Sequence, residues 1–144
     1  MASTGPHIFV NVPKTGHSAV VDRGKNAVTA TWPLTEATSN FPMSLDEVDH
    51  RLFVGCRSPA KVLIYDYPAG RLVGSITISR DTDDWFYDAR NKFLYVSCGA
   101  GVIEVIMKTD QGNYATAKTI ATVAGARISL LVPELNLFCL AVPR

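Results

Sequence analysis

Short runs of apolar, β-branched and aromatic residues recur along the chain at a nearly constant interval. Four of them read alike, Ile8-Phe9-Val10-Asn11, Leu52-Phe53-Val54-Gly55, Leu94-Tyr95-Val96-Ser97 and Phe138-Cys139-Leu140-Ala141. They start at residues 8, 52, 94 and 138, so the intervals are 44, 42 and 44 residues. Such residues suit a pleated, half-buried strand. The fixed period predicts a repeat protein.

Each repeat contains four strand-like runs, which in the second repeat cover residues 43–46, 52–56, 62–66 and 72–78. Residues 22–26 and 66–70 carry the Asp, Pro and Gly of tight turns. The best helix candidate, residues 34–40, is short and polar, so we expect a loop there. Four antiparallel strands every 40–45 residues or so predict stacked β-propeller blades. A β-sandwich is the alternative, but it does not explain the constant period.

The second repeat resembles the YVTN type of β-propeller repeat. The resemblance rests on Leu52-Phe53-Val54, on the strand at residues 62–66, on the turn glycine Gly70 and on the strand at residues 71–78. It extends over residues 7–144 and implies an all-β propeller fold. Residues 80–84 and 132–144 are similar to segments of uncharacterised bacterial members that are often exported. The resemblance therefore implies the C-terminal half of a longer, exported or periplasmic parent protein.

The number of strands predicts an open arc. If the strands of a blade are lettered a to d outward from the axis, the chain reads b-c-d, a-b-c-d, a-b-c-d, a-b, which is 13 strands. We expect a disordered segment at residues 1–6 and a partial propeller at 7–144. Its repeat units lie near 8–51, 52–93 and 94–137, with a final strand at 138–144. About three blades are too few to close a ring.

We therefore expect self-association, with a six-bladed homodimer favoured. The a-strand near residues 127–132 of one copy would complete the opening b-c-d sheet of the other, and the final strand would compete with residues 8–11 for that place. A two-fold arrangement is the commonest oligomeric symmetry. The rival explanation is a natural or engineered fragment that is stable only as an assembly.

Composition narrows the class of protein. The 144 residues are 47% hydrophobic and 19% charged, with a formal net charge of +1. These values exclude a disordered, collagen-like or coiled-coil chain. They argue against nucleic-acid and membrane-surface partners, which usually require a basic excess. Residues 1–6 lack the apolar stretch of a secretory signal, and the compartment stays open.

Asp81, Asp83 and Asp84, with Asp88 close behind, form the densest acidic cluster. Several carboxylates in one loop could hold Ca²⁺ or another hard cation. The spacing lacks an EF-hand pattern, and the alternative is a d-to-a turn in which aspartates accept hydrogen bonds from backbone N–H groups.

A second candidate site is basic. Lys14 with His17, and Arg57 with Lys61, lie in equivalent b-to-c loops and could form a rim that contacts an anionic small ligand. The alternative is a pair of solvated hairpin tips. The sequence contains neither a P-loop nor a Gly-x-Ser-x-Gly motif.

Cys56, Cys98 and Cys139 are far apart, and we expect three free, buried thiols with a packing role. Trp32 and Trp85 are expected to anchor the packing of blades.

Three functions follow from these features. The favoured one is a non-catalytic scaffold or binding module without a cofactor. The second is a metal-assisted hydrolase of lactonase type, which would require carboxylates from several blades to converge on the axis. Asp46 and Asp88 are equivalent, but the third copy has Val132. The last is a structural propeller fragment that has no ligand.

Overall fold

A computed structural model describes residues 5–67 and 69–144, and this part of the chain forms four antiparallel sheets with no α-helix. Blade 1 contains β1 His7–Val12, β2 His17–Asp22 and β3 Ala27–Pro33. Blade 2 contains β4 Thr38–Asp46, β5 Arg51–Ser58, β6 Ala60–Asp66 and β7 Arg71–Thr77. Blade 3 contains β8 Thr82–Asp88, β9 Phe93–Cys98, β10 Val102–Lys108 and β11 Tyr114–Ala121. The C-terminal hairpin contains β12 Ile128–Val132 and β13 Leu137–Ala141.

The sheets contain three, four, four and two strands, as the b-c-d, a-b-c-d, a-b-c-d, a-b series predicts. Consecutive strands are neighbours in every sheet, which is the simple meander of a propeller blade. The predicted repeat units begin at the second strand of a blade, so a repeat boundary and a sheet boundary differ by one strand. Of the segment expected to be disordered, residues 1–4 lie outside the described residues; the Pro6 carbonyl accepts a hydrogen bond from the Arg23 N–H at 2.8 Å.

The backbone repeats as regularly as the sequence. Residues with positive φ recur at equivalent points of three connections, namely Ser39, Asp81 and Gly125 at or just before the start of the a-strands, His50, Lys92 and Asn136 before the b-strands, and Asn26, Gly70 and Gly112 before the d-strands. A left-handed residue lets the chain reverse tightly, and glycine and asparagine adopt it at least cost. The same turn geometry is therefore built from different residues in successive blades.

Two apolar clusters fill the spaces between blades. Phe9 and Val20 of blade 1 pack against Leu52, Val54 and Leu63 of blade 2. The second cluster joins blade 2 to blade 3 and includes Phe53, Val62, Ile64, Trp85, Leu94 and Val96, all at most 4% exposed. Blade 2 therefore presents one apolar face to blade 1 and the other to blade 3.

The tryptophans occupy these interfaces. Trp85 is 4% exposed, and a Cβ on Gly55 would lie 2.9 Å from its ring. Trp32 stacks on Tyr65 with the ring centroids 6.0 Å apart. The predicted anchoring role of both tryptophans is confirmed.

Three local predictions are wrong or partly wrong. Residues 34–40 are not all loop, since β4 begins at Thr38; its polar residue Asn40 is fully buried and donates from Nδ2 to the His17 carbonyl at 3.1 Å. Likewise β8 begins at Thr82, so Asp83 and Asp84 lie on a strand and not in a turn. Cys56 and Cys98 are buried as expected, whereas Cys139 is exposed because no described residue covers its side of the C-terminal hairpin.

Candidate functional site

The acidic and basic candidates meet at one end of the blades. In an antiparallel meander the b-to-c and d-to-a connections lie at the same end of the sheet. Arg57, at the end of β5, forms an ion pair with Asp83 and donates from Nε to the Thr82 carbonyl at 2.9 Å. Arg127, ahead of β12, donates from Nη1 to both carboxylate oxygens of Asp81, at 2.6 and 2.7 Å.

Arg127 also lies 3.4 Å from Asp83, measured from Nε to Oδ2. Two guanidinium groups and two carboxylates therefore alternate across blade 2, blade 3 and the C-terminal hairpin. The carboxylate of Asp81 raises the pKa of Arg127 further above its usual value. We call Arg57, Asp81, Asp83 and Arg127 the Asp–Arg chain; its formal charge is zero.

The other two acidic candidates are used locally. Asp84 accepts hydrogen bonds from the backbone N–H groups of Trp85 and Ser129, at 3.0 and 3.1 Å. Asp88, at the other end of β8, accepts from the N–H groups of Arg90 and Asn91 at 3.0 and 3.3 Å. The structure therefore does not gather the four aspartates at one point. Across residues 5–67 and 69–144 no group of three His, Cys, Asp or Glu side chains could hold a metal ion.

The predicted basic rim is partly neutralised as well. Lys61 lies 3.0 Å from Glu36, whose carboxylate also accepts a hydrogen bond from the Ser75 hydroxyl at 2.8 Å. The hydrogen bond from the Ser75 hydroxyl is the largest cause of the lowered pKa of Glu36, and the hydrogen bond from Lys61 is the second. His17 pairs with the Thr15 hydroxyl at 2.8 Å through Nδ1. The remaining candidate, Lys14, lies on the exposed 3₁₀ turn Pro13–Thr15.

A further polar contact joins blades 2 and 3 at the opposite end. Asp49 lies 3.3 Å from Lys92 and 3.0 Å from Lys108. The hydrogen bond from Lys108 is the largest cause of the lowered pKa of Asp49. Asp46 accepts a hydrogen bond from the Tyr87 hydroxyl, and burial together with this carboxylate raises the pKa of Tyr87. These groups clamp two blades together.

Two grooves lie at equivalent places between blades. The first, of about 560 Å³, lies between blades 1 and 2 and is lined mainly by Trp32, Tyr67, Val20 and His7. The second, of about 320 Å³, lies between blades 2 and 3 and is lined by Ile64, Ile76, Arg51 and Tyr114 among others. No sequence motif pointed to either groove.

The two ends of the arc carry extended apolar faces. Cross-strand pairing places Ile8, Val10, Val12, Ala19, Val21 and Val28 on the outer side of blade 1, together with His17, which pairs with Val12, and with Thr31 and Pro33 of β3. We call this the N-terminal face; Val10 is 42% and Val28 is 60% exposed. On the outer side of the C-terminal hairpin, pairing groups Ile128, Leu130, Val132, Leu137, Cys139 and Ala141. We call this the C-terminal face; Ile128, Leu130 and Leu137 are 51–61% exposed.

Sequence reasoning missed the partners of the charged candidates and the extent of the two faces. Glu36 and Arg127 are isolated in the sequence, and Arg127 meets Asp81 across 46 residues. The faces were visible in principle, because Val10 and Leu130 alternate with residues that point inward. No helix among the described residues is long and apolar enough to cross a membrane.

Comparison with protein-family models and with curated protein sequences gives no match. Among solved structures, the chain is similar to Kuenenia stuttgartiensis hydrazine synthase, with a TM-score of 0.80 and 19% identity over 93% of this chain and 38% of that one. It is similar to a chain of the mitotic checkpoint complex, with a TM-score of 0.80 and 13% identity over 96% and 43%.

It is also similar to the periplasmic gluconolactonase of Pseudomonas aeruginosa, with a TM-score of 0.66 and 14% identity over 98% of this chain and 41% of that one. This chain spans less than half the length of each. These proteins are β-propellers, and the likeness shows that this chain has the β-propeller fold.

Proposed function

We propose that this chain is a non-catalytic β-propeller interaction module that assembles with a second copy of itself. The observation that carries the proposal is the pair of exposed apolar faces, neither of which contains Asp, Glu, Lys or Arg. Contiguous apolar patches on a soluble protein mark surfaces that bind another protein. The formal net charge of +1 places no electrostatic obstacle in the way of self-association.

The pairing of charges supports a binding role over a metal-assisted hydrolase. Asp81 and Asp83 each contact a guanidinium group, and a cation at either would have to compete with Arg127. Gluconolactonase activity belongs to the Pseudomonas aeruginosa neighbour, and at 14% identity only the fold is shared. We also propose the YVTN repeat type, supported by the residue pattern at 52–78, and an exported or periplasmic parent protein, supported by the segments at 80–84 and 132–144.

Light scattering coupled to size-exclusion chromatography tests the proposal. The expected mass at tens of micromolar is twice the 15.6 kDa of one chain. Leu130→Asp, which places a charge in the C-terminal face, should return the mass to that of one chain. The matched control is Val48→Asp, because Val48 is 74% exposed but lies in the turn between β4 and β5. This variant should remain dimeric.

A monomer at every concentration, with the fold intact by circular dichroism, would contradict the proposal. So would hydrolysis of a gluconolactone that depends on added Ca²⁺, since it would favour the hydrolase. The same preparation serves for both assays.

A further inference from the structure

The N-terminal face has a buried counterpart in the next blade. Ile8, Val10, Val12, Ala19 and Val21 correspond, at an offset of 44 residues, to Leu52, Val54, Cys56, Leu63 and Tyr65. In blade 2 these five residues are at most 3% exposed and form the side that packs against blade 1. The N-terminal face is therefore the kind of surface that this fold covers with the outer side of a preceding blade.

The C-terminal face corresponds to the other side of the earlier blades, the side that packs against the following blade. Cys139 lies 44, 86 and 130 residues after Tyr95, Phe53 and Phe9, at the same place in successive b-strands. Phe9 belongs to the cluster that packs on Val54, and Phe53 belongs to the cluster that contains Val96. The C-terminal face is therefore the surface that normally covers a following blade.

We propose that two copies associate head to tail, with the C-terminal face of one copy seated on the N-terminal face of the other. This inference rests on the proposed self-association and specifies its geometry. Each copy carries one face of each kind, so two copies related by a two-fold axis form the contact twice. Neither face contains Asp, Glu, Lys or Arg, so the contact buries no unpaired full charge.

The C-terminal hairpin stays in place in this arrangement. β12 pairs with β13 along its length, and the Ser97 and Ser129 hydroxyls hydrogen bond at 2.9 Å in a buried position. Phe138 packs on Tyr95 with the ring centroids 5.0 Å apart. Exchange of β12 into the first sheet of a partner, as expected from the sequence, would break the pairing with β13. Stacking of the two faces preserves all of these contacts.

Cross-linking through Cys139 tests the geometry. Cys139 is exposed, whereas Cys56 and Cys98 are fully buried, so the native chain offers one reactive thiol. In the variant Val10→Cys, a short bismaleimide should join the new thiol of one copy to Cys139 of the other, because Val10 and Cys139 occupy the positions of Val54 and Phe9. Mass spectrometry identifies the linked peptides.

The matched control is Val48→Cys, whose thiol would be exposed but on neither face. We expect at least about tenfold more cross-linked dimer with Val10→Cys, because apposition in a complex gives effective concentrations on the order of millimolar. Ile8→Cys, on the same strand and face, provides a second site should Val10→Cys weaken assembly.

The outcomes separate the two proposals. A dimer by light scattering, without a link from either cysteine variant to Cys139, overturns the head-to-tail geometry and leaves self-association standing. Strand exchange would be one such dimer. A monomer at all concentrations overturns both proposals.

Discussion

Blade 2 and blade 1 carry nearly the same pattern of residues but bury it to very different extents. Leu52 and Val54 of β5 are 1% and 0% exposed, because blade 1 covers that side. Their counterparts in β1 are Ile8, which is half-buried, and Val10, which is 42% exposed. The two strands show the same alternation, but β5 pairs with β4 and β6, whereas β1 pairs with β2 alone. The difference in burial therefore has two sources: blade 1 has no a-strand among the described residues, and no described blade covers its outer side.

A repeat therefore specifies a surface that needs a neighbour, and the free energy of burial is gained only where one exists. Burial of apolar surface contributes roughly 25 cal/mol per Å². Blade 2 gains it on both faces, whereas blade 1 and the C-terminal hairpin gain it on one each. A second copy would supply the missing contribution at both ends.

The largest effect is expected when a charged residue is placed at Val54 of blade 2 and at the equivalent Val10 of blade 1. Val54→Asp should lower the free energy of unfolding by about 4 kcal/mol or more, because an ionised carboxylate would be buried without a partner. Val10→Asp should change the stability of the monomer by less than about 0.5 kcal/mol and abolish association. Urea unfolding followed by circular dichroism measures both, at a concentration where the wild type is monomeric. Equal destabilisation by the two variants would refute the difference between the faces.

Two glycines, one in a crowded and one in an open position, test the same difference with an effect of intermediate size. A Cβ on Gly55 would lie 2.5 Å from the Pro42 ring and 2.9 Å from Trp85, so Gly55→Ala should cost about 1–3 kcal/mol by overpacking the space between blades 2 and 3. At Gly74, in the outer strand β7, the nearest atom would be 3.9 Å away. Gly74→Ala should be neutral or stabilise by about 0.4–1 kcal/mol, because it restricts the unfolded chain. Thermal unfolding should show a lower melting temperature for Gly55→Ala and an unchanged or higher one for Gly74→Ala; a loss of stability at Gly74 would contradict this assignment.

The smallest expected effect concerns Asp49, which links blade 2 to blade 3. Its pKa is lowered, chiefly by Lys108, so its contribution to stability is present above the usual Asp pKa of about 3.9 and is lost as the pH falls through the lowered value. Asp49→Asn should remove less than about 1 kcal/mol near pH 7, and the loss should shrink in high salt. Urea unfolding at about pH 7 and at a series of values below about pH 3.9 should therefore show the difference between the variant and the wild type shrinking as the pH falls. Asp110→Asn, in an exposed turn, is the control; a difference that persists at low pH would exclude the ionic explanation.

The fold could be predicted from the sequence because the sequence is periodic. The strand series b-c-d, a-b-c-d, a-b-c-d, a-b is what the sheets contain, since alternation and turn residues act locally and recur. The start of β4 could not be predicted from the sequence. Asn40 is polar, but its place inside the blade is stabilised by a hydrogen bond to the His17 carbonyl, 23 residues away.

The candidate site was predictable only in part, for the same reason. The aspartates at 81–84 and the basic residues at 57 and 61 are visible as local clusters. Their mutual pairing depends on contacts such as that of Asp81 with Arg127, which no local pattern indicates. The exposure of Cys139 likewise depends on whether another sheet packs against the outer side of the C-terminal hairpin, and not on the sequence of the strand that contains it.

The most direct test of whether a second copy covers the C-terminal face is the rate at which Cys139 is alkylated, followed by mass spectrometry across a series of protein concentrations. Burial raises the pKa of Cys56 to about 11 and that of Cys98 to about 12, so Cys139 alone should react in the native protein. If a second copy covers the C-terminal face, the rate should fall as concentration rises, and in Val10→Asp it should stay at the level of an exposed thiol. A rate that does not depend on concentration in the wild type would contradict the account.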